Sequence, residues 1–297
     1  MRVFVTGASG WIGSAAVDEL LAAGHEVLGL ARSNASAASL EAKGAVVLRG
    51  DLDDLASLRR GAVESEATLH FANKHDWSNP AESNRAERTA VETLAEALVG
   101  SGKTLGLASG LFRPDADRPV LETDPHPAVG PESMRGGSEN LAFDYQDRGV
   151  RSIALRFAPT VHGHHDHGFI AQIVAAAQRT GVSGYIGDGS NSWAAVHRSD
   201  AARLVRLALE QAPAGARVHA VGEEGVQARR IAEAIGEVLG LPTTSIDPDD
   251  AAGHFGFIGR FFGAEMTASS AATRAAYGWG PTGPTLVEDI AAGAYTA

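Results

Sequence analysis

Along this chain, short apolar runs alternate with longer stretches whose apolar residues recur every three or four positions. Val3, Phe4 and Val5 predict a short buried strand. Ile12, Ala16, Val17, Leu20 and Leu21 then line one face of a helix, with Gly24 as its stop. The same rhythm predicts strands over 26–31, 45–48, 67–71, 103–108 and 151–157. Helices are expected between them, ending near Lys43 and over about 53–62, 81–99 and 131–148. Strands alternating with helices at this spacing make an α/β protein with a doubly wound parallel sheet, whose ligands lie at the carboxyl ends of the strands. Beyond residue 160 the rhythm loosens. A helix at about 169–180, a turn rich in glycine (Gly184, Gly187, Gly189) and a strand near 194–197 come first. Ser199-Asp200 is expected to cap a helix running to Gln211. A strand over 217–220 follows, and then a helix marked by Ile231, Ala234, Ile235, Val238 and Leu239.

Between the first strand and the first helix, Gly7, Gly10 and Gly13 stand at G-x-x-G-x-x-G spacing. A glycine turn in that context lets backbone N–H groups approach a pyrophosphate, and the positive end of the helix favours the negative charge. The expected cofactor contacts here are Gly7, Ser9, Gly10, Trp11, Ile12 and Gly13. This makes the fold Rossmann-like. The expected division is a dinucleotide-binding domain over 1–160 with returning segments at about 194–222. A smaller C-terminal substrate lobe is expected from 161–193 and 223–297.

Composition narrows the partners. A formal net charge of -11 over 297 residues disfavours nucleic acid and anionic membranes. No apolar run reaches membrane-spanning length. The first strand begins at Arg2, so no signal peptide is expected and a cytoplasmic location is. With no cysteine in the chain, disulfides and thiolate chemistry are excluded.

At the end of the second strand, a carboxylate would hydrogen-bond the ribose 2′-OH of NAD, whereas an arginine accommodates the 2′-phosphate of NADP. Here Ala31 is followed by Arg32 and Ser33, a guanidinium and a hydroxyl, so NADP is expected over NAD.

Thr6-Gly7-x-x-Gly10-x-x-Gly13 resembles the cofactor loop of the extended and atypical short-chain dehydrogenase/reductases. This group is often labelled NAD-dependent epimerase/dehydratase. The segment 155–163 (Leu-Arg-Phe-Ala-Pro-Thr-Val-His-Gly) looks like the family's stretch beside the nicotinamide, with Pro159 as a contact. The segments 196–202 and 277–281 look like its two later motifs, so the resemblance covers nearly the whole chain. It implies adenine contacts from Asp51 and Leu52, and ribose and nicotinamide contacts from Phe71, Ala72 and Asn73. Asp51 is also expected as a helix N-cap. The resemblance further implies a homodimer paired through the helices at about 82–99 and 131–148.

Carbonyl reduction needs a proton donor and a group that polarises the oxygen. The family's serine after the fifth strand is matched by Ser109. Its Tyr-x-x-x-Lys is missing: the lysine slot falls near Arg135 and the tyrosine slot near Pro131, while Tyr145 is expected to pack at the helix end. An arginine keeps its proton, so Arg135 could bind ribose hydroxyls or an anion but not act as an acid. Gly136-Gly137 implies that the helix is broken there or closely approached. His162 is the candidate replacement acid. The neighbouring His164, His165 and His167 share one loop with Asp166, and ligands on one loop rarely converge, so no metal is expected. Tyr185, Trp193 and His197 form an aromatic cluster that could roof a substrate pocket or build the core of the lobe.

The expected activity is an NADPH-dependent oxidoreductase acting on a carbonyl or similar group of a small molecule, with Ser109, Arg135 and His162 as catalytic candidates. Alternatives are an epimerase or dehydratase using bound NAD(P), and a non-catalytic NADP(H)-binding redox regulator.

Overall fold

The computed structural model describes residues 1–111, 113 and 118–296. Seven strands form one sheet in the order β10-β6-β5-β4-β1-β2-β3. They are β1 (Arg2–Thr6), β2 (Glu26–Ala31), β3 (Val46–Arg49), β4 (Ala67–His70), β5 (Thr104–Gly110), β6 (Arg151–Phe157) and β10 (Arg217–Ala220). Neighbours run parallel in fixed register, for example Val3 beside Val27 and Ala67, and Ala31 beside Arg49. The order reverses between β1 and β4, and such a switch point leaves a crevice outside the strand ends.

The chain forms two compact units. The first comprises Met1–Ser109, Thr123–Leu155 and Ala202–Val218. Its helices include α1 (Trp11–Ala22), α2 (Asn34–Ala42), α3 (Leu55–Val63), α4 (Pro80–Leu98) and α5 (Ser138–Asp144). Phe4, Leu28, Leu58, Leu94, Leu105 and Leu107 build its core. A Cβ on Gly61 of α3 would lie 2.4 Å from the Phe4 ring, so this glycine sets how closely the helix seats on the sheet.

The second unit comprises Gly110–Glu122, Arg156–Ala201 and His219–Ala297. It holds a three-stranded sheet, β11-β9-β7, with β9 (Ser192–His197) between β7 (Thr160–His162) and β11 (Glu223–Gln227). It also holds a pair of parallel strands, β8 (Ser183–Ile186) and β12 (Thr243–Ile246). Around them pack α6 (Phe169–Thr180), α8 (Ala228–Leu239), three short helices α9 (Ala251–Phe255), α10 (Gly259–Phe262) and α11 (Ala271–Tyr277), and α12 (Leu286–Ala291). The helix α7 (Arg198–Gln211) starts in this unit and continues into the first. Two carboxylates, one of them buried, pin the late segments. Asp200 accepts hydrogen bonds from the Thr282 N–H and Oγ1 and from the Gly283 N–H. Glu223 accepts the Leu286 N–H at 2.8 Å.

Two local expectations are corrected. The stretch 131–148 is not one helix: a 3-10 turn at Met134–Gly137, α5, and a second 3-10 turn at Gln146–Arg148 replace it. Arg135, Gly136 and Gly137 are all left-handed, with φ of 54°, 61° and 65°, a run that no α-helix tolerates. Asp51 does not cap α3. Asp54 does, accepting the Ser57 N–H at 3.1 Å. Tyr145 is buried at the end of α5, its hydroxyl donating to Glu96 at 2.9 Å.

Adding one methyl group at the α3–sheet contact overpacks it. Gly61→Ala is expected to lower the unfolding free energy by about 1–3 kcal/mol, read from chemical denaturation.

Candidate functional site

The first unit carries the glycine turn at the switch point. Gly7 has φ +65°, and a Cβ there would lie 2.6 Å from the Ala72 nitrogen and 2.7 Å from the Phe71 carbonyl carbon. A Cβ on Gly13 would lie 2.1 Å from the Gly7 oxygen. The turn, the first coil of α1 and the chain leaving β4 therefore meet with no room for a side chain. Gly10 occupies the N-cap of α1 in extended geometry, so no side chain caps this 12-residue helix. Its leading amides, those of Trp11, Ile12 and Gly13, form an N-terminus of the kind that binds a phosphate anion. Ser9 is exposed beside them. The residues present fit a dinucleotide pyrophosphate.

At the end of β2, Arg32 is exposed and makes no hydrogen bond or ion pair among the described residues. Ser33 caps α2 through a reciprocal capping box with Ser36. Arg49, at the end of neighbouring β3, donates to the Ser33 carbonyl at 2.6 Å and to the Asn34 side chain at 3.1 Å. Two guanidinium groups thus serve one turn that holds no carboxylate. Arg49 was missed because sequence reading followed β2 alone; the parallel pairing of Ala31 with Arg49 is the signal that finds it. Asp51 is exposed, and its Oδ1 accepts the Asp53 and Asp54 N–H groups at 2.9 and 3.0 Å. Leu52 packs against the core of the unit.

A buried polar chain runs from Thr6, beside the glycine turn, to Arg135. Thr6 Oγ1 accepts the Ala72 N–H at 3.3 Å and pairs with His70 Nδ1 at 2.8 Å. His70 Nε2 lies 3.7 Å from Glu87 Oε2. Asn73 donates to that same oxygen at 3.0 Å, and Arg135 donates to Glu87 Oε1 at 2.6 Å. Burial alone would raise the Glu87 carboxyl above the usual carboxylate range. The Arg135 guanidinium and His70 more than offset it and hold the group at about 2. Glu87 was not foreseen, although Ala86, Ala90, Val91, Leu94 and Leu98 place it on the buried stripe of α4.

The same helix face grips the left-handed turn at two further points. Asn84 accepts the Arg135 N–H at 2.9 Å, and Arg88 donates to the Gly136 carbonyl at 2.7 Å. Residues i, i+3 and i+4 share a helix face, so Asn84, Glu87 and Arg88 act as one docking ladder. They offset a backbone strain of about 1–3 kcal/mol at Arg135. Nearby, His75 also has positive φ (49°), its N–H donated to the Asn73 side chain. Desolvation of its ring and the Arg135 charge favour the neutral imidazole. Ser109, next to the last residue of β5, is buried, and its hydroxyl makes no hydrogen bond among the described residues.

In the second unit, His162 is fully buried with Nδ1 2.6 Å from Asp289 Oδ2. Its Nε2 is buried without a hydrogen-bond partner, 3.9 Å from Glu223. Burial lowers its pKa, and Asp289 opposes that shift. Asp166 accepts the Gly168 N–H and the Tyr295 hydroxyl, whereas His164 and His165 are exposed with ring centroids 3.9 Å apart. Among the described residues no cluster of histidine and carboxylate groups is placed to hold a metal. Pro159 is half-buried just before β7.

The aromatic cluster resolves differently from a pocket roof. Trp193 is 1% exposed, packs on Phe169 and Phe262, and donates its indole N–H to the Ala264 carbonyl. It is a core residue, which corrects the expectation that it meets substrate. Tyr185 is half-buried beneath Arg229. His197 is half-buried too, bonded to Ser199 and edge-on to His162.

Residues 3–222 match the model of the NAD dependent epimerase/dehydratase family. This chain belongs to that family. Two relatives match over nearly their full lengths. The uncharacterized protein YLL056C of Saccharomyces cerevisiae is 41% identical, over 98% of each chain. The uncharacterized protein C2A9.02 of Schizosaccharomyces pombe is 40% identical, over 99% of this chain and 100% of its own. A 4-hydroxy-2-methyl-3-oxo-4-farnesyl-3,4-dihydroquinoline-1-oxide ketoreductase of Stigmatella aurantiaca is 26% identical over 72% of this chain and 66% of its own. Among solved structures, a UDP-glucose 4-epimerase of Thermotoga maritima shares the fold at TM-score 0.78 and 19% identity, covering 99% of this chain and 98% of its own. Pro131 is exposed and offers no donor, and Arg135 is ion-paired to Glu87.

The Glu87 carboxyl titrates lower in the fold than in an unfolded chain. The stability it contributes is therefore full above about pH 4.5 and lost as pH falls toward 2. Unfolding free energies measured between pH 6 and 2.5 are expected to drop across that window. Glu87→Gln is expected to show a shallower drop.

Proposed function

We propose that this epimerase/dehydratase-family chain is an NADPH-dependent oxidoreductase that reduces a carbonyl or similar group of a small molecule. The observation that carries the reading is the turn after β2, where Arg32 and Arg49 flank Ser33 and no carboxylate is present. A phosphate dianion suits paired guanidinium groups, because each presents a planar fork of donors. An NAD-type ribose would meet no carboxylate for its 2′-OH there. The resemblance to a named ketoreductase points the same way.

In this reading the N-terminus of α1 holds the pyrophosphate, and Arg32, Ser33 and Arg49 hold the 2′-phosphate. Bound NADPH would supply the hydride. The Ser109 hydroxyl, uncommitted among the described residues, polarises the carbonyl oxygen. Arg135 keeps its proton and binds rather than trades.

Titration of the purified protein with NADPH and NADH, followed by cofactor fluorescence, tests the assignment. Hydrogen bonds to charged groups contribute about 1.5–3 kcal/mol each, so Arg32→Ala and Arg49→Ala should each weaken NADPH by roughly 10–100-fold and leave NADH unchanged. Equal binding of both cofactors, unmoved by either substitution, would refute the NADP assignment. Once a carbonyl substrate is found by NADPH consumption, Ser109→Ala is expected to lower turnover by about 10²–10³-fold.

A further inference from the structure

Arg135 is an unusual place to put an arginine. Its backbone is left-handed, its N–H is tied to Asn84, and the next carbonyl is tied to Arg88. A turn that needed only to be closed would be closed more readily by glycine or asparagine, which adopt this conformation easily. Its partner is equally unusual. Glu87 has a fully buried side chain in the middle of an apolar helix face, and such a charge survives only when it is paired and hydrogen-bonded. Both of its oxygens are committed, one to Arg135 and the other to Asn73. Strained backbone and buried charge tend to gather where a fold holds something for function. The Arg135 side chain is 27% exposed, and a guanidinium has five N–H donors, so Glu87 leaves others for a ligand.

We propose that Glu87 is a positioning residue for cofactor recognition: it holds Arg135 in one orientation, so that the remaining guanidinium donors bind the nicotinamide-ribose half of the dinucleotide. The inference rests on the dinucleotide reading above. Glu87 touches no ligand itself and acts only through Arg135.

The test compares a whole cofactor with its adenine half. NADPH and 2′,5′-ADP are titrated against the wild type, Glu87→Gln, Arg135→Gln and the double variant, with thermal unfolding recorded for each. NADH and 5′-AMP are run in parallel. Glu87→Gln is expected to weaken NADPH about tenfold while 2′,5′-ADP binding stays within twofold. In the Arg135→Gln background, Glu87→Gln should cause no further loss. Equal losses for both ligands, no loss for either, or additive losses in the double variant would each overturn the proposal. If Glu87→Gln does not fold, Arg135→Gln alone must reproduce the selective loss, or the proposal fails. If only NADH and 5′-AMP bind, the NADP assignment falls, and the same selective loss for NADH decides the role of Glu87. If no dinucleotide binds, both readings are overturned.

Discussion

The close meeting of three backbone segments at Gly7 is the constraint on which the first unit depends. The turn after β1 lies against Phe71 and Ala72 after β4, and the first coil of α1 lies against the turn through Gly13. Two side chains are thereby excluded, and the switch point of the sheet is brought up to the uncapped start of a helix. The polar chain through Thr6, His70 and Glu87 begins at this same junction. The glycine turn and the ordering of Arg135 thus share one structural origin.

Much of the first unit was legible because its burial is periodic. Strands buried on both faces read as apolar runs, and helices covering them read as stripes at three- and four-residue spacing. Arg135 was found by counting back from the sixth strand, but the form of its turn was not. Three consecutive left-handed residues can be inferred only in part from Gly136-Gly137, and nothing marks Arg135 itself as left-handed. Glu87 escaped notice for the opposite reason. A charged residue is ordinarily assigned to the solvent face, and the stripe that buries it is visible only if the helix is read without regard to charge.

The second unit was less legible. Its late elements are short, and several are exposed: β12 is Thr-Thr-Ser-Ile with little burial, and α9, α10 and α11 span only five, four and seven residues. Such segments are held by distant partners rather than by their own pattern. Trp193 illustrates the ambiguity. An aromatic-rich cluster suits a pocket lining or a core equally well by composition. The commitment of the indole N–H to a backbone carbonyl is what decides it.

The pairing of His162 with Asp289 spans 127 residues of chain. At roughly 5–20 residues per second, a ribosome takes about 6–25 s to pass from one partner to the other. Through that interval β7 has been made, yet the carboxylate that receives its histidine has not, and Asp200 likewise awaits Thr282 and Gly283. The glycine turn and β1 to β5 need no such wait. The chain therefore matures unevenly during synthesis: the glycine turn and its strands can meet their partners early, whereas the partners of His162 and Asp200 are made last.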